Sequence, residues 1–200
     1  MEKLRPIVLV GGRSVRYGRD KLREVAGSWD GRERWLVDVP IAALRAVFGS
    51  CVLLVGECDV EVAARGDGVM RDEFPGVGPI GGIVSALRQE GAVLVLPGDL
   101  PRVSERVVRE IRLVAERSPG AWAVLARTDR LEPCVGVYRA AALEPLMERV
   151  RGGNGPRRSL HDALPERHVA LVDVAPAALA KANTPEELAR AVGGGRDQRP

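Results

Sequence analysis

The chain has 200 residues, 46% of them hydrophobic and 28% charged, which suits a single globular domain and excludes a disordered chain. The net charge is +3, from 30 basic against 27 acidic side chains, and aromatic residues make up 4%; neither a basic face nor a base-stacking platform for nucleic acid is expected. No apolar run approaches the roughly 20 residues that cross a bilayer, and MEKLRP leads directly into a strand pattern rather than a secretory leader, so a cytoplasmic protein without membrane association is expected.

In chain order, residues 7–10 (IVLV) read as a first buried strand. Residues 36–47 (LVDVPIAALRAV) have helical spacing, with Pro40 in or near the first turn. Strands follow at 51–55 (CVLLV) and around 69–71, a helix at 80–87, and a buried strand at 92–96 (AVLVL). Residues 104–116 are a helix that Ser104 can cap. Two strands at 122–126 and 134–138 precede helical patterns at 140–150 and 158–164. The last strand is 169–172, and Thr184-Pro185-Glu186-Glu187 opens a final helix with a cap, a first-position proline and acids in its first turn. Cys51 and Cys134 sit in apolar runs and read as core; neither the three cysteines nor His161 and His168 have metal-ligand spacing.

Continuous apolar strands alternating with helices predict an α/β fold: a single-domain, Rossmann-like three-layer αβα sandwich with a mostly parallel sheet. The domain is expected to span residues 1–192, with 193–200 a glycine-rich, charged, flexible tail. Ligands on such sheets sit at the carboxyl ends of the strands, so the residues following each strand are the candidates.

After the first strand comes LVGGRSVRYGRDK, residues 9–21. Gly11 and Gly12 let backbone amides approach a ligand, and Arg13, Arg16, Arg19 and Lys21 place four cations in nine residues. Such crowding suits phosphate, although the pattern is neither Walker nor G-x-G-x-x-G. Lys21 is one of only three lysines among 30 basic residues. Asp99, in Pro97-Gly98-Asp99-Leu100-Pro101 just past a central strand, suits Mg²⁺ held against phosphate, or a plain turn aspartate. Asp72 precedes a stretch, 75–82, crowded with glycine and proline and ending in Gly81-Gly82.

These segments resemble a family. Residues 9–21 look like the signature LAGG-x-S-x-RMG-x-DK of nucleotidyltransferases with the nucleotide-diphospho-sugar transferase fold. Gly78-Pro79-Ile80-Gly81-Gly82-Ile83 resembles the GPLAGI segment of the molybdenum cofactor guanylyltransferases, residues 97–101 resemble their P-C-D-T-P, and Asn183-Thr184-Pro185-Glu186-Glu187-Leu188 matches their N-T-P-E-E-L. The four motifs fall in family order along almost the whole chain. The chain departs from the pattern at Val10 and Tyr17, at Gly98 and Leu100 beside Asp99, at Gly56, where an asparagine is frequent, and at Lys181, the first asparagine of the family's N-x-N-T-P.

The resemblance implies transfer of GMP from GTP to the phosphate of molybdopterin, with release of pyrophosphate, in a Mg²⁺-dependent enzyme. Lys21, Arg16 and Asp99 would be catalytic. Leu9, Val10, Gly11, Gly12, Lys21, Asp72 and Asp99 would bind the nucleotide, with Asp99 on the metal. Gly81, Gly82, Arg157, Arg158 and Asn183 would lie on the acceptor side. Pterin-delivering proteins or molybdoenzymes would be possible partners. Two alternatives share the expectation of a bound nucleotide. One is another transferase of the fold, either a CTP-dependent molybdopterin cytidylyltransferase or a GTP-dependent cobamide-precursor guanylyltransferase. The other is a non-catalytic relative.

Overall fold

Both faces of the first strand are apolar because both are covered. The computed structural model describes residues 3–11, 21–29, 32–49, 51–152, 160 and 162–193. Its centre is a seven-stranded sheet of order β5-β4-β1-β6-β8-β7-β9, built from β1 (Arg5–Leu9), β4 (Leu53–Val55), β5 (Gly68–Met70), β6 (Ala92–Pro97), β7 (Ala123–Arg127), β8 (Leu131–Arg139) and β9 (Val169–Asp173). All neighbours pair in parallel except β8, which is antiparallel to both β6 and β7. The expected mostly parallel αβα fold is therefore present.

Alternation along the buried strands sends side chains to opposite layers. Val8, Leu94 and Leu96 pack with Ile41 and Leu44 of α1 (Asp38–Phe48) and with Val108 and Ile111 of α4 (Glu105–Arg117). Ile7, Val93 and Val95 pack with Ile80, Ile83 and Val84 of α3 (Pro79–Glu90) and Leu146 of α5 (Leu143–Arg151). A small third cluster joins Leu36, Ala182 and Leu188, seating α6 (Pro185–Gly193) beside the hairpin β2 (Val25–Trp29) and β3 (Arg32–Trp35).

Several elements differ from the sequence expectation. The β2–β3 hairpin was not expected; it is an antiparallel pair outside the main sheet, with no long apolar run to announce it. The four-residue helix α2 (Val60–Ala63), capped by Asp59 Oδ1 accepting from the Val62 amide at 2.8 Å, is too short to have a period. Ser104 holds the N-cap position of α4, but its hydroxyl makes no capping bond. Residues 140–142 are a 3₁₀ turn, and α5 starts at Leu143. Of the helix expected at 158–164, residues 158, 159 and 161 lie outside the described residues, and 160 and 162–164 form bends and a turn. Helix α6 takes in Gly193, the first residue of the expected tail, whose other residues lie outside the description. Cys51 is exposed rather than core: it turns the chain from α1 into β4 with a left-handed backbone (φ 73°), and burial begins one residue later at Val52. Cys134 is only partly buried.

Candidate active site

Parallel pairing puts the carboxyl ends of β1, β4, β5 and β6 on one edge of the sheet, and the antiparallel β8 brings its N-terminal end to the same edge. Val10, Gly11, Gly56, Asp72 and Asp99 therefore converge although they are far apart in sequence. The Gly98 amide donates to the Leu9 carbonyl at 3.0 Å, and the Val10 amide to the Val55 carbonyl at 3.0 Å. These bonds occupy the Leu9 carbonyl and the Val10 amide, two backbone groups of the residues expected to bind the nucleotide. Among the described residues, the Gly11 amide and the Val10 carbonyl have no such partner.

Gly56 explains itself here. Its φ is 121°, and a Cβ would stand 2.6 Å from the Gly11 nitrogen and 2.8 Å from its Cα. Only glycine lets β4 leave the sheet this close to the first loop, so the departure at position 56 is a packing requirement.

The centre of the edge is an ion pair. Lys21 Nζ donates to Asp99 Oδ2 at 2.6 Å and to Asn183 Oδ1 at 3.4 Å. Both ends of the pair are largely shielded, with side chains 21% and 14% exposed. Three separate segments deliver these groups. Lys21 begins a 3₁₀ turn, Lys21–Arg23, whose Leu22 is buried against Gly98; a Cβ at Gly98 would lie 3.0 Å from the Leu22 side chain. Leu100 is fully buried. The departures on both sides of Asp99 are thus occupied by packing and leave the pair intact. Asn183 is carried by the lead-in to α6: the Ala182 amide donates to the Asp99 carbonyl at 3.1 Å, and Glu187 Oε2 accepts from the Asn183 amide at 2.7 Å. Thr184 caps α6 as expected, its Oγ1 accepting from the Glu187 amide at 3.2 Å.

The other oxygen of Asp99, Oδ1, is buried and has no hydrogen-bond partner among the described residues. A buried carboxylate oxygen left unpaired is costly unless a ligand supplies the partner. Mg²⁺ fits this: it takes one or two carboxylates and completes its shell with water and substrate phosphate. No cluster of three or more metal-ligating side chains exists among the described residues.

Asp72 stands at the carboxyl end of β5, half-buried, and its Oδ1 accepts from the Phe74 amide at 2.8 Å. It meets a residue that sequence reasoning missed. Ser85 is fully buried in α3; its hydroxyl accepts from the Glu73 amide at 2.9 Å and reaches the Gly81 carbonyl at 2.8 Å and Asp72 Oδ1 at 3.2 Å. A lone serine inside the apolar run IVSAL was the available signal. Gly81 and Gly82, expected on the acceptor side, are buried: a Cβ on Gly81 would lie 2.6 Å from the Phe74 carbonyl oxygen, and one on Gly82 3.1 Å from the Leu9 side chain. Their visible role is to let α3 close on the sheet, and they present no surface to an acceptor here. Gly12, Arg16, Arg157 and Arg158 lie outside the described residues.

Beyond Asn183 the edge continues along β8. Extending the β6–β8 register brings Cys134 and Glu132 alongside 97–99. Burial pushes the Cys134 thiol up, with Lys181 opposing and Asp99 and Glu132 adding to the rise. Glu132 is nearly buried and is held by Arg130 Nε at 3.0 Å.

A family model described as "MobA-like NTP transferase domain" matches residues 6–170. A protein of Aquifex aeolicus is 30% identical over 186 residues, covering 92% of this chain and 87% of its own, and one of Opitutus terrae is 29% identical over 192 residues, covering 92% of each. Both carry the name "probable molybdenum cofactor guanylyltransferase". The crystal structure of molybdopterin-guanine dinucleotide biosynthesis protein A from Archaeoglobus fulgidus is similar with a TM-score of 0.71 at 25% identity, over 94% of this chain and 96% of that one.

Proposed function

The chain belongs to the family of MobA-like NTP transferase domains, and from that premise we propose that it is a Mg²⁺-dependent guanylyltransferase that joins GMP from GTP to the phosphate of molybdopterin and releases pyrophosphate. The names of the relatives support the reading. The observation that carries it is the Lys21–Asp99 pair with its unpartnered Oδ1, set where strand ends converge.

An oxygen of the acceptor phosphate attacks the α-phosphorus of GTP. One P–O bond forms, the bond to the bridging oxygen breaks, and its electrons leave with pyrophosphate. The attacking group is already an anion, so position and charge neutralisation carry the reaction rather than a strong base. Lys21 has three donor hydrogens. Asp99 and Asn183 take two, which aims the ammonium and leaves the third for a phosphate oxygen. Its charge offsets the build-up on the phosphates. Asp99 Oδ1 would hold Mg²⁺; when bound, the ion neutralises phosphate oxygens as a Lewis acid. The Val10 carbonyl and Gly11 amide supply an acceptor and a donor for a base edge.

The test is incubation of the purified chain with molybdopterin, Mg²⁺ and GTP, CTP or ATP in turn, reading pyrophosphate and the mass of the product. GTP is expected to give molybdopterin guanine dinucleotide. A cytidylyl product, or no pyrophosphate from any nucleotide, would overturn the reading.

A further inference from the structure

We propose that Lys181 is the cation that receives the phosphate monoester of the second substrate, in the cleft between the β7–β8 turn and the lead-in to α6; the identity of that phosphate as the attacking group rests on the function proposed above. The cleft measures about 420 Å³ and is lined by Thr128, Asp129, Arg130, Glu132, Lys181 and Asn183. It adjoins the Lys21–Asp99 pair through Asn183, whose amide oxygen is 3.4 Å from Lys21 Nζ.

Backbone placement gives Lys181 its direction. Ala182 is fully buried among Leu36 and Leu188, and its amide is tied to the Asp99 carbonyl. The flanking side chains, Lys181 and Asn183, turn the other way and both face the cleft. Lys181 is half-buried, yet among the described residues it makes no hydrogen bond or ion pair. Of the nearby acids, Asp99 is engaged by Lys21 and Glu132 by Arg130, and the exposed Asp129, which also lines the cleft, makes no ion pair with Lys181. A partly desolvated ammonium without an acid partner is unfavourable unless a ligand brings the anion.

Charge accounting points the same way. Among the described residues, Lys21 is committed to Asp99 and Asn183, which leaves one donor for the nucleotide. A second phosphorylated molecule adds up to two negative charges beside the first, and like charges at that distance repel strongly in a shielded site. Lys181 supplies the separate counter-charge on the side from which an attacking phosphate can approach.

The test exploits the fact that the chain has only three lysines, Lys3, Lys21 and Lys181. Reductive ¹³C-methylation of the full chain labels them and the terminal amine, and Lys181→Met and Lys21→Met identify their signals. Titration with phenyl phosphate should move the Lys181 signal, phenol should not, and GTP with Mg²⁺ should move Lys21. In turnover, Lys181→Met should raise the molybdopterin concentration for half-maximal rate about tenfold or more while leaving that for GTP in place, as expected for losing one charge-assisted bond; Lys181→Arg should recover most of it. A Lys181 signal that phenyl phosphate leaves unmoved, or a Lys181→Met enzyme with wild-type acceptor dependence, overturns the proposal. If the wild-type chain releases no pyrophosphate, the proposed reaction fails while the titration still decides Lys181.

Discussion

The Lys21 ammonium touches Asp99 Oδ2 at 2.6 Å across 78 residues of sequence, and both side chains are more than three-quarters shielded from water. Lys21→Ala is therefore expected to lower pyrophosphate release about 10²–10³-fold, the usual loss on removing a donor aimed at developing charge. The chain should remain folded, since Leu22 and Arg23 hold the same turn: Leu22 is buried, and Arg23 pairs with Asp59 and Glu61 of the α2 region. Wild-type turnover by a folded Lys21→Ala protein would remove the central role of this residue.

Asp99→Asn keeps the shape of the side chain and the Ala182–Asp99 backbone bond, but removes the charge that Lys21 meets and that the proposed Mg²⁺ would require. Turnover is expected to fall at least about 100-fold, with nucleotide binding measured without metal little changed. A protein with a lowered Tm but undiminished specific activity would show that Asp99 only shapes the turn.

Gly56→Ala places a methyl 2.6 Å from backbone nitrogen at Gly11, in a conformation (φ 121°) that side chains rarely adopt. The backbone conformation alone costs roughly 1–3 kcal/mol. The expected result is a Tm lower by several degrees together with weaker GTP binding, because relief of the clash displaces Gly11. Unchanged GTP affinity by calorimetry would separate this approach from nucleotide recognition.

Ser85→Ala leaves the part-buried Glu73 amide and the buried Gly81 carbonyl without their hydroxyl partner, at about 1–2 kcal/mol. Thermal unfolding should shift down by a few degrees, and limited proteolysis should cut the 72–78 turn faster than in wild type. An unaltered melting curve would mean that water replaces the hydroxyl.

The Arg45 guanidinium, 2.9 Å from Asp67 Oδ1, and the Val52 amide hold the Asp67 carboxyl below its ordinary range. Stability from this group is fully present above the unfolded-state pKa of about 3.9 and is lost as pH falls through the lower folded-state value. The pair is partly exposed, so the contribution is under about 1 kcal/mol. The difference in Tm between wild type and Asp67→Asn should be largest near neutral pH and shrink below about pH 4. A difference that grows on acidification would contradict this.

Much of the architecture was legible because burial on both faces leaves a direct mark on sequence. AVLVL is apolar at every position since Val93 and Val95 face one layer and Leu94 and Leu96 the other, and such a run reads as a central strand whatever its neighbours. Thr184-Pro185-Glu186-Glu187 was equally readable, since a cap is made by residues three apart. The short or two-sided elements were not. The β2–β3 hairpin has a β-bulge between Val25 and Gly27, and α2 spans four residues, so neither has enough length for a period to emerge.

At the site, the sequence by itself determined which chemical groups are available: glycines after the first strand, Lys21, Asp72, Asp99 and Asn183. Residue type and spacing along the chain are local properties, and motifs record them. Only the tertiary structure decided which of these groups meet. It joined Lys21, Asp99 and Asn183, turned Gly81 and Gly82 into packing contacts, made position 56 a glycine through its contact with Gly11, and left Lys181 without an acid partner among the described residues, facing a cleft. Apart from the Gly81 contact with Phe74, each of those outcomes depends on atoms more than 40 residues apart arriving within a few ångströms, and strand order across the sheet, which no local pattern encodes, sets that distance.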